Sequence, residues 1–288
     1  MDSILNKVNK LDKARESFNS LGNIYPGDSS VGITSESIEG VTCYWFTPGH
    51  FDDNRIIIYL HGGSFVLGSI QSHKPMVSHF ASAFFAKILF VDYALAPERP
   101  FPNGVNDVLK VYRRLIRKYH NAKISIIGDS AGGGLCVSFI NRAIKEKLQL
   151  PASIIFISPF IYLQCNSESH KTRKNRDPIL TTGMLLEYAN YYVASNGDEA
   201  DPGELNFTSF PPLFILVGSN EILFDDSVTF YGKIKPLQPD TKMKEYTNQN
   251  HVWLLADIKS ESSKTALADM KEFIIKTTAT DIRPRNDG

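Results

Sequence analysis

Five short apolar segments, separated by helix-forming stretches, constrain the fold of this chain more than any other sequence feature. Each segment is rich in β-branched residues and is apolar at consecutive positions, which is typical of a strand covered on both faces. The segments are residues 55–60, 87–92, 123–128, 153–158 and 213–217. Helical patterns with an apolar stripe lie between them, for example at 105–118 and 131–147. This alternation predicts an α/β fold with a mainly parallel central sheet flanked by helices, preceded by antiparallel edge strands or a hairpin over residues 37–46.

Two stretches do not follow this alternation. Residues 1–35 combine an amphipathic helical pattern with a turn-rich segment, and residues 166–208 are polar at first and then aromatic and helical. An insertion near the carboxyl ends of parallel strands is where a lid covers a binding site. We therefore expect one discontinuous α/β core over 36–165 and 209–277, and a helical cap formed by the two remaining stretches.

Composition excludes several classes of protein. The 31 basic and 31 acidic side chains give a formal net charge of zero, which argues against a general electrostatic affinity for nucleic acid or for an anionic membrane. No apolar run approaches the roughly 20 residues that span a bilayer, and the amino-terminal residues lack the apolar segment of a secretory signal. The cysteines Cys43, Cys136 and Cys165 fit neither a disulfide framework nor a metal site. We expect a cytoplasmic protein without nucleic-acid partners, integral membrane association, metal or cofactor.

The segment Gly128-Asp129-Ser130-Ala131-Gly132 matches the pattern G-x-S-x-G. It directly follows a predicted strand and opens a predicted helix, which is the context of a nucleophile elbow. Glycines on both sides of the serine allow neighbouring backbone to pass close to a strained turn. The segment therefore predicts Ser130 as a nucleophile; an inert turn is the alternative, and the flanking strand and helix argue against it.

A second glycine motif, His61-Gly62-Gly63, follows the first apolar segment. Its glycines leave backbone N–H groups free to face a ligand. Together with the N–H of Ala131, those of Gly62 and Gly63 are predicted to form an oxyanion hole, with a simple glycine turn as the alternative. We expect His61 to hold this loop by hydrogen bonding and not to act as a base.

A serine nucleophile requires a general base and a group that orients it, and in this type of fold they follow in the order acid, then histidine. His251, between the last predicted strand and the last predicted helix, is the expected base, whereas His170 lies in the polar insertion. Glu221 stands nearest the end of the fifth apolar segment and is the expected acid. Asp225 is the alternative, although it directly precedes a helical pattern, as capping residues do.

Taken together, the motifs resemble the hormone-sensitive-lipase-like family of α/β-hydrolase esterases, from about residue 56 to residue 253. His61-Gly62-Gly63 is similar to the H-G-G signature of that family, with Ser64 where a third glycine is usual. Residues 92–102 resemble its D-Y-x-L-A-P-E-x-x-F-P stretch, and the pentapeptide around the serine is its G-D-S-A-G form. Residues 176–178, Arg-Asp-Pro, resemble a loop of its lid region.

The resemblance also bears on the acid and on the supporting residues. The family commonly has D-P-L-x-D at the acid with the first aspartate catalytic, so Glu221 takes the catalytic place and Asp225 the second position. Tyr93, Glu98 and Asp129 match family positions that imply buried hydrogen bonds bracing the active-site loops.

The resemblance implies a serine carboxylesterase of bacterial type that acts on small-molecule esters with short to medium acyl chains through an acyl-enzyme. An amidase or deacetylase with the same site residues is one alternative. A non-catalytic ligand receptor of the same fold is another, and the retention of both Ser130 and His251 argues against it. The oligomeric state stays open, with a homodimer as one option.

Overall fold

A computed structural model describes residues 2–194 and 200–279. Within these residues the chain forms a single eight-stranded sheet with helices on both faces. The strands are β1 (Gly32–Ile38), β2 (Val41–Thr47), β3 (Arg55–Leu60), β4 (Lys87–Val91), β5 (Lys123–Asp129), β6 (Ser153–Ile157), β7 (Leu213–Gly218) and β8 (Lys242–Tyr246). The α-helices are α1 (Asp2–Asn19), α2 (Ile70–Phe84), α3 (Asn103–Lys118), α4 (Ala131–Lys145), α5 (Ser169–Thr172), α6 (Thr182–Val193), α7 (Phe224–Ile234), α8 (Trp253–Ala256) and α9 (Glu261–Thr278). Short 3-10 helices lie at Ser20–Asn23 and Pro202–Glu204.

The strand order in the sheet is β1-β2-β4-β3-β5-β6-β7-β8. All neighbours from β4 to β8 are parallel, whereas β1 and β2 form an antiparallel hairpin and β2 also pairs antiparallel with β4. The hairpin turn is at Glu39 and Gly40, which both have positive φ. The prediction of a mainly parallel α/β sheet with antiparallel edge strands is therefore confirmed.

Residues of the central strands alternate between two apolar layers. In β3, Ile56, Ile58 and Leu60 pack into one buried cluster, while Ile57 and Tyr59 pack into the other. Successive side chains of a strand point to opposite faces of its sheet, so a strand with helices on both faces is apolar at nearly every position. This explains why the five central segments are recognisable in the sequence as continuous apolar runs.

The amino-terminal segment and the insertion between β6 and β7 lie over the same apolar layer. Phe18 of α1 and Met184 and Tyr188 of α6 pack at its margin. The exposed side chains of Lys10 and Glu187 also join the two helices, with 3.2 Å between the Lys10 Nζ and a Glu187 carboxylate oxygen. The first strand begins at Gly32, slightly before the expected start of the core at residue 36.

No helix within the described residues is long and apolar enough to cross a membrane.

Candidate active site

The turn between β5 and α4 places one serine at the carboxyl edge of the sheet. Ser130 has φ 49° and ψ −120°, a conformation that L-amino acids rarely adopt. The flanking glycines are required by close backbone contacts, since a Cβ on Gly132 would lie 2.0 Å from the Leu60 carbonyl oxygen. A Cβ on Gly128 would lie 2.6 Å from the carbonyl oxygen of Gly132. The G-x-S-x-G pattern thus reflects a strained turn that only glycine permits at these two positions.

Three side chains from distant parts of the sequence meet at this turn. The Ser130 hydroxyl lies 2.9 Å from His251 Nε2, and His251 Nδ1 lies 3.0 Å from a Glu221 carboxylate oxygen. Ser130 follows β5, Glu221 follows β7, and His251 follows β8, so the ends of parallel strands bring them together. All three are buried. The result is a continuous hydroxyl–imidazole–carboxylate chain.

The carboxylate of Glu221 is held on both oxygens. Its Oε1 accepts hydrogen bonds from the Gly218 N–H at 2.5 Å and from the Ser158 hydroxyl at 2.6 Å. Its Oε2 faces the imidazole of His251. The side chain is fully buried, so these contacts replace water as hydrogen-bond partners of the carboxylate.

The two aspartates at the start of α7 face the insertion. Asp225 accepts a hydrogen bond from the Ser169 N–H at 2.7 Å. Asp226 accepts from the Tyr162 N–H at 3.3 Å and from the Ser167 hydroxyl at 3.2 Å, and burial raises its pKa to about 7. Of the two acids considered from the sequence, Glu221 is therefore the one hydrogen-bonded to the histidine.

A third aspartate, in the Arg-Asp-Pro loop of the insertion, contacts the acid loop. Asp177 accepts hydrogen bonds from the Ile222 N–H at 3.0 Å and from the Leu180 N–H at 2.9 Å. His170 lies nearby, with its Nδ1 3.0 Å from the Thr182 hydroxyl, and burial lowers the pKa of this histidine. The Arg-Asp-Pro motif does not by itself indicate this role of Asp177, which ties the insertion to the segment that carries Glu221.

The glycine loop after β3 departs from expectation at one residue. The Gly62 N–H donates to Asp129 Oδ1 at 2.9 Å. The prediction that Gly62 contributes to an oxyanion hole is therefore at odds with the structure, because its single N–H is already engaged. Within the described chain, the N–H groups of Gly63, Ser64 and Ala131 have no hydrogen-bond acceptor, and Gly63 and Ser64 border the pocket above Ser130.

Asp129 holds the glycine loop after β3 in place by a hydrogen bond. Besides the Gly62 N–H, it accepts the Tyr59 hydroxyl at 2.6 Å and lies 3.4 Å from His73 Nε2. Burial alone would raise the pKa of Asp129, but the charge and hydrogen bond of His73 and the hydrogen bond from Tyr59 outweigh it and lower the pKa. The carboxylate next to the nucleophile thus fixes the loop that follows β3.

His61 and Tyr93 support the same loop. The Tyr93 hydroxyl donates to the His61 carbonyl at 2.6 Å, and the two rings stack with centroids 4.3 Å apart. His61 Nδ1 donates to the Gly62 carbonyl at 2.8 Å, and burial lowers the histidine pKa to about 3. His61 is therefore neutral.

The expectation of a buried role for Glu98 is wrong, because its side chain is exposed and pairs with Arg15 at 2.7 Å.

An apolar pocket of about 260 Å³ opens above the serine and histidine. The amino-terminal segment and the insertion supply most of the apolar side chains of its wall, namely Phe18, Leu21, Ile24, Ile179, Leu180, Met184 and Tyr188. Among the described residues that line it, none is a lysine or arginine. The pocket is thus suited to an uncharged, apolar group beside the nucleophile.

No cluster of three or more potential metal ligands occurs in the part of the chain that the structure describes.

Comparisons with known proteins identify the family and the fold of this chain. Residues 57–255 match a family described as alpha/beta hydrolase fold. The chain is 35% identical over 246 residues to an acetyl-hydrolase of Streptomyces hygroscopicus, covering 84% of this chain and 80% of that protein. A crystal structure of an esterase from the bacterial hormone-sensitive lipase family superposes with a TM-score of 0.89 at 30% identity, covering 93% of this chain and 92% of the other. The esterase EstE5, in a crystal soaked by p-nitrophenyl butyrate, superposes with a TM-score of 0.87 at 32% identity, covering 94% and 92% of the two chains.

Proposed function

This chain belongs to the hormone-sensitive-lipase-like family of α/β-hydrolase esterases and is a carboxylic ester hydrolase, and from that premise we propose that it cleaves esters of short to medium acyl chains through an acyl-enzyme on Ser130. The observation that carries the proposal is the hydrogen-bonded chain from Ser130 through His251 to Glu221, with spacings of 2.9 Å and 3.0 Å, at the base of an apolar pocket. Such a chain is the arrangement that activates a serine hydroxyl.

Acylation begins when the substrate carbonyl carbon lies over Ser130. His251 removes the hydroxyl proton through Nε2 as the serine oxygen attacks, and a tetrahedral oxyanion forms. The unengaged N–H groups of Gly63, Ser64 and Ala131 are the proposed donors to this oxyanion. His251 then protonates the departing alcohol, and the acyl group stays on the serine.

Deacylation repeats the same steps with water. His251 takes a proton from the water molecule that attacks the acyl carbonyl, and returns it to Ser130 as the acid leaves. Throughout, Glu221 holds the Nδ1–H tautomer of the imidazole and stabilises the imidazolium without accepting its proton. Every proton that moves is carried by this chain's own residues and by water.

The pocket supports a short or medium apolar acyl group. A volume of about 260 Å³ is slightly below the roughly 300 Å³ at which the usual range of small-molecule sites begins, and the pocket wall is mostly aliphatic and aromatic. Two related proteins are consistent with this size of substrate, since one is called an acetyl-hydrolase and the other was soaked by p-nitrophenyl butyrate. The retained His251 opposes the alternative of a non-catalytic receptor.

A series of p-nitrophenyl esters tests the substrate class. We expect kcat/KM to be highest among the acetate, butyrate and octanoate, because each methylene that enters the pocket gains about 0.8 kcal/mol. For the palmitate it should be at least about tenfold lower, because a pocket of about 260 Å³ is too small for the whole chain, which then hinders the placement of the ester over Ser130. The matched p-nitroanilide of the best acyl group should be a much poorer substrate. A preference for the palmitate would contradict the acyl-chain assignment, and an anilide cleaved as fast as its ester would favour an amidase.

We further propose that residues 2–31 and the described part of 166–208 form a cap over a core made of 32–165 and 209–277, because the core begins with β1 at Gly32 and not at residue 36 as expected. Residues 195–199 of the second stretch lie outside the described residues. The pocket wall supports this division, because most of its apolar side chains come from these two stretches. Arg15 of α1 supports it as well, since its guanidinium donates to the carbonyls of Val66 and Ala96, each at 3.0 Å. It thereby links the proposed cap to the loop that carries the oxyanion donors.

Replacing Arg15 is expected to weaken this link. In Arg15→Ala we expect kcat/KM for p-nitrophenyl butyrate to fall by about tenfold. The variant lacks the guanidinium group that donates hydrogen bonds to two loop carbonyls and to both carboxylate oxygens of Glu98. The matched control is Lys10→Ala, which removes a basic residue of the same helix whose pairing with Glu187 is exposed and so contributes little. Equal kcat/KM in the two variants would show that Arg15 does not couple the cap to the site.

We also propose a cytoplasmic location. The cysteines Cys43, Cys136 and Cys165 are free and buried, as suits a reducing compartment. Burial raises the pKa of the Cys43 and Cys165 thiols to about 12, so both stay protonated and unreactive. The thiols therefore do not compete with Ser130 for the role of nucleophile.

A further inference from the structure

One buried serine outside the predicted set of site residues contacts the acid. Ser158 directly follows β6, has a fully buried side chain and adopts φ 51°. Its backbone is anchored to the neighbouring strand β7, because its N–H donates to the Leu216 carbonyl at 2.7 Å. The preceding residue, Ile157, accepts the Ser130 N–H at 2.9 Å. Ser158 thus occupies a rigid point between the nucleophile turn and the acid loop.

The hydroxyl of Ser158 connects two segments of the site. It donates to Glu221 Oε1 at 2.6 Å and accepts the Val252 N–H at 3.1 Å. The direction is fixed, since a backbone N–H can only donate and an ionised carboxylate can only accept. Val252 is the residue after His251, and it has a left-handed backbone conformation with φ 44°. One hydroxyl therefore joins the loop of the base to the carboxylate of the acid.

We propose that Ser158 is a positioning residue that orients the Glu221–His251 pair for proton transfer. With Oε1 held by Ser158 and Gly218, the other carboxylate oxygen is turned toward His251 Nδ1. A glutamate requires such positioning more than an aspartate does. Its extra methylene adds one rotatable bond, and the terminal torsion of the side chain has a broad range of allowed angles. Ser158 removes that freedom before the substrate arrives.

Two features separate this role from a general contribution to folding. Ser158 is not among the residues that line the substrate pocket, so its loss should leave ground-state binding unchanged. Acylation and deacylation both use His251, so a misdirected imidazole slows both steps by a similar factor. The expected signature is a lower kcat at nearly constant KM.

The test compares two buried serines: Ser158, which directly follows β6, and Ser153, which is the first residue of β6. In Ser158→Ala we expect kcat for p-nitrophenyl butyrate to fall by about tenfold or more with KM unchanged. The control is Ser153→Ala, which removes a fully buried hydroxyl at the far end of the strand, hydrogen-bonded at 2.8 Å to Ser125. Its kcat should equal that of the wild type. Thermal unfolding of both variants shows whether any loss comes from destabilisation.

A second variant and a second readout keep the test decisive. Ser158→Gly removes the hydroxyl while suiting the positive φ, and it replaces the alanine variant if that chain does not fold. The rate at which diethyl p-nitrophenyl phosphate inactivates each variant should fall in parallel with kcat, because phosphorylation also requires a serine activated by His251. A kcat equal to that of Ser153→Ala, or a rise in KM at constant kcat, overturns the proposal.

The inference rests on the proposed function, and the two can fail separately. If Ser130→Ala retained wild-type turnover, the proposed function itself would be wrong. If Ser130→Ala were inactive while Ser158→Ala matched its control, only the positioning role would be lost.

Discussion

Ser130→Ala is expected to abolish ester hydrolysis, lowering kcat for p-nitrophenyl butyrate by about 10⁵–10⁶-fold, as removal of the nucleophile does in other serine hydrolases. The hydroxyl oxygen is the atom that bonds to the acyl group, and alanine offers no substitute. Any residual rate would come from binding and the oxyanion donors. The fold should be retained, since alanine fits the same strained turn as serine and removes only the hydroxyl that faces His251. Steady-state kinetics and thermal unfolding measure the two effects.

The matched control is Ser138→Ala, which removes a buried hydroxyl from the helix that begins after Ser130. This variant should keep wild-type turnover. The comparison separates loss of the nucleophile from loss of a buried serine on the same element. Substantial activity in Ser130→Ala, at a level near that of Ser138→Ala, would contradict the mechanism.

Glu221→Gln is expected to lower kcat by about 10⁴-fold, the effect of the equivalent amide substitution in a serine protease. The amide keeps the size of the side chain but loses the charge that stabilises the imidazolium, and its NH₂ group favours the wrong histidine tautomer. Because the side chain is fully buried, no solvent can replace that charge. The measurement is kcat against pH for wild type and variant.

Asp225→Asn is the comparison for this experiment, because it makes the same chemical change four positions along the chain. Its hydrogen bond from the Ser169 N–H can be kept by the asparagine carbonyl, so turnover should stay within a few-fold of the wild type. The reverse order, with Asp225→Asn the more damaging change, would transfer the role of the acid to Asp225.

The features that could be predicted from the sequence are those whose cause is local. A strand covered on both faces is apolar at nearly every residue, so β3 is visible as a continuous apolar run. β5 is visible as well, since its run is interrupted only at Ser125, whose buried hydroxyl pairs with that of Ser153. The turn at Ser130 needs glycine at Gly128 and Gly132 because backbone oxygens lie within 3 Å of their missing Cβ atoms. The fold and the nucleophile turn can therefore be predicted from the sequence.

The contacts that could not be predicted depend on how separate loops meet. Nothing in the glycine motif indicates that the Gly62 N–H would be taken by Asp129, because that bond depends on the approach of two strand ends. Glu98 pairs with Arg15 only because α1 folds back over the sheet. Ser158 has no local signature at all, since a serine at the end of a strand is common, and only its distance to Glu221 distinguishes it.

The most direct test of the account is the site at which a covalent inhibitor binds. Diethyl p-nitrophenyl phosphate should transfer one diethylphosphoryl group per chain, located by peptide mass spectrometry on Ser130, with activity lost in proportion to labelling. His251→Ala should be labelled far more slowly. Labelling at another residue, or full activity in a chain completely labelled at Ser130, would contradict the assignment of Ser130 as the nucleophile activated by His251 and Glu221.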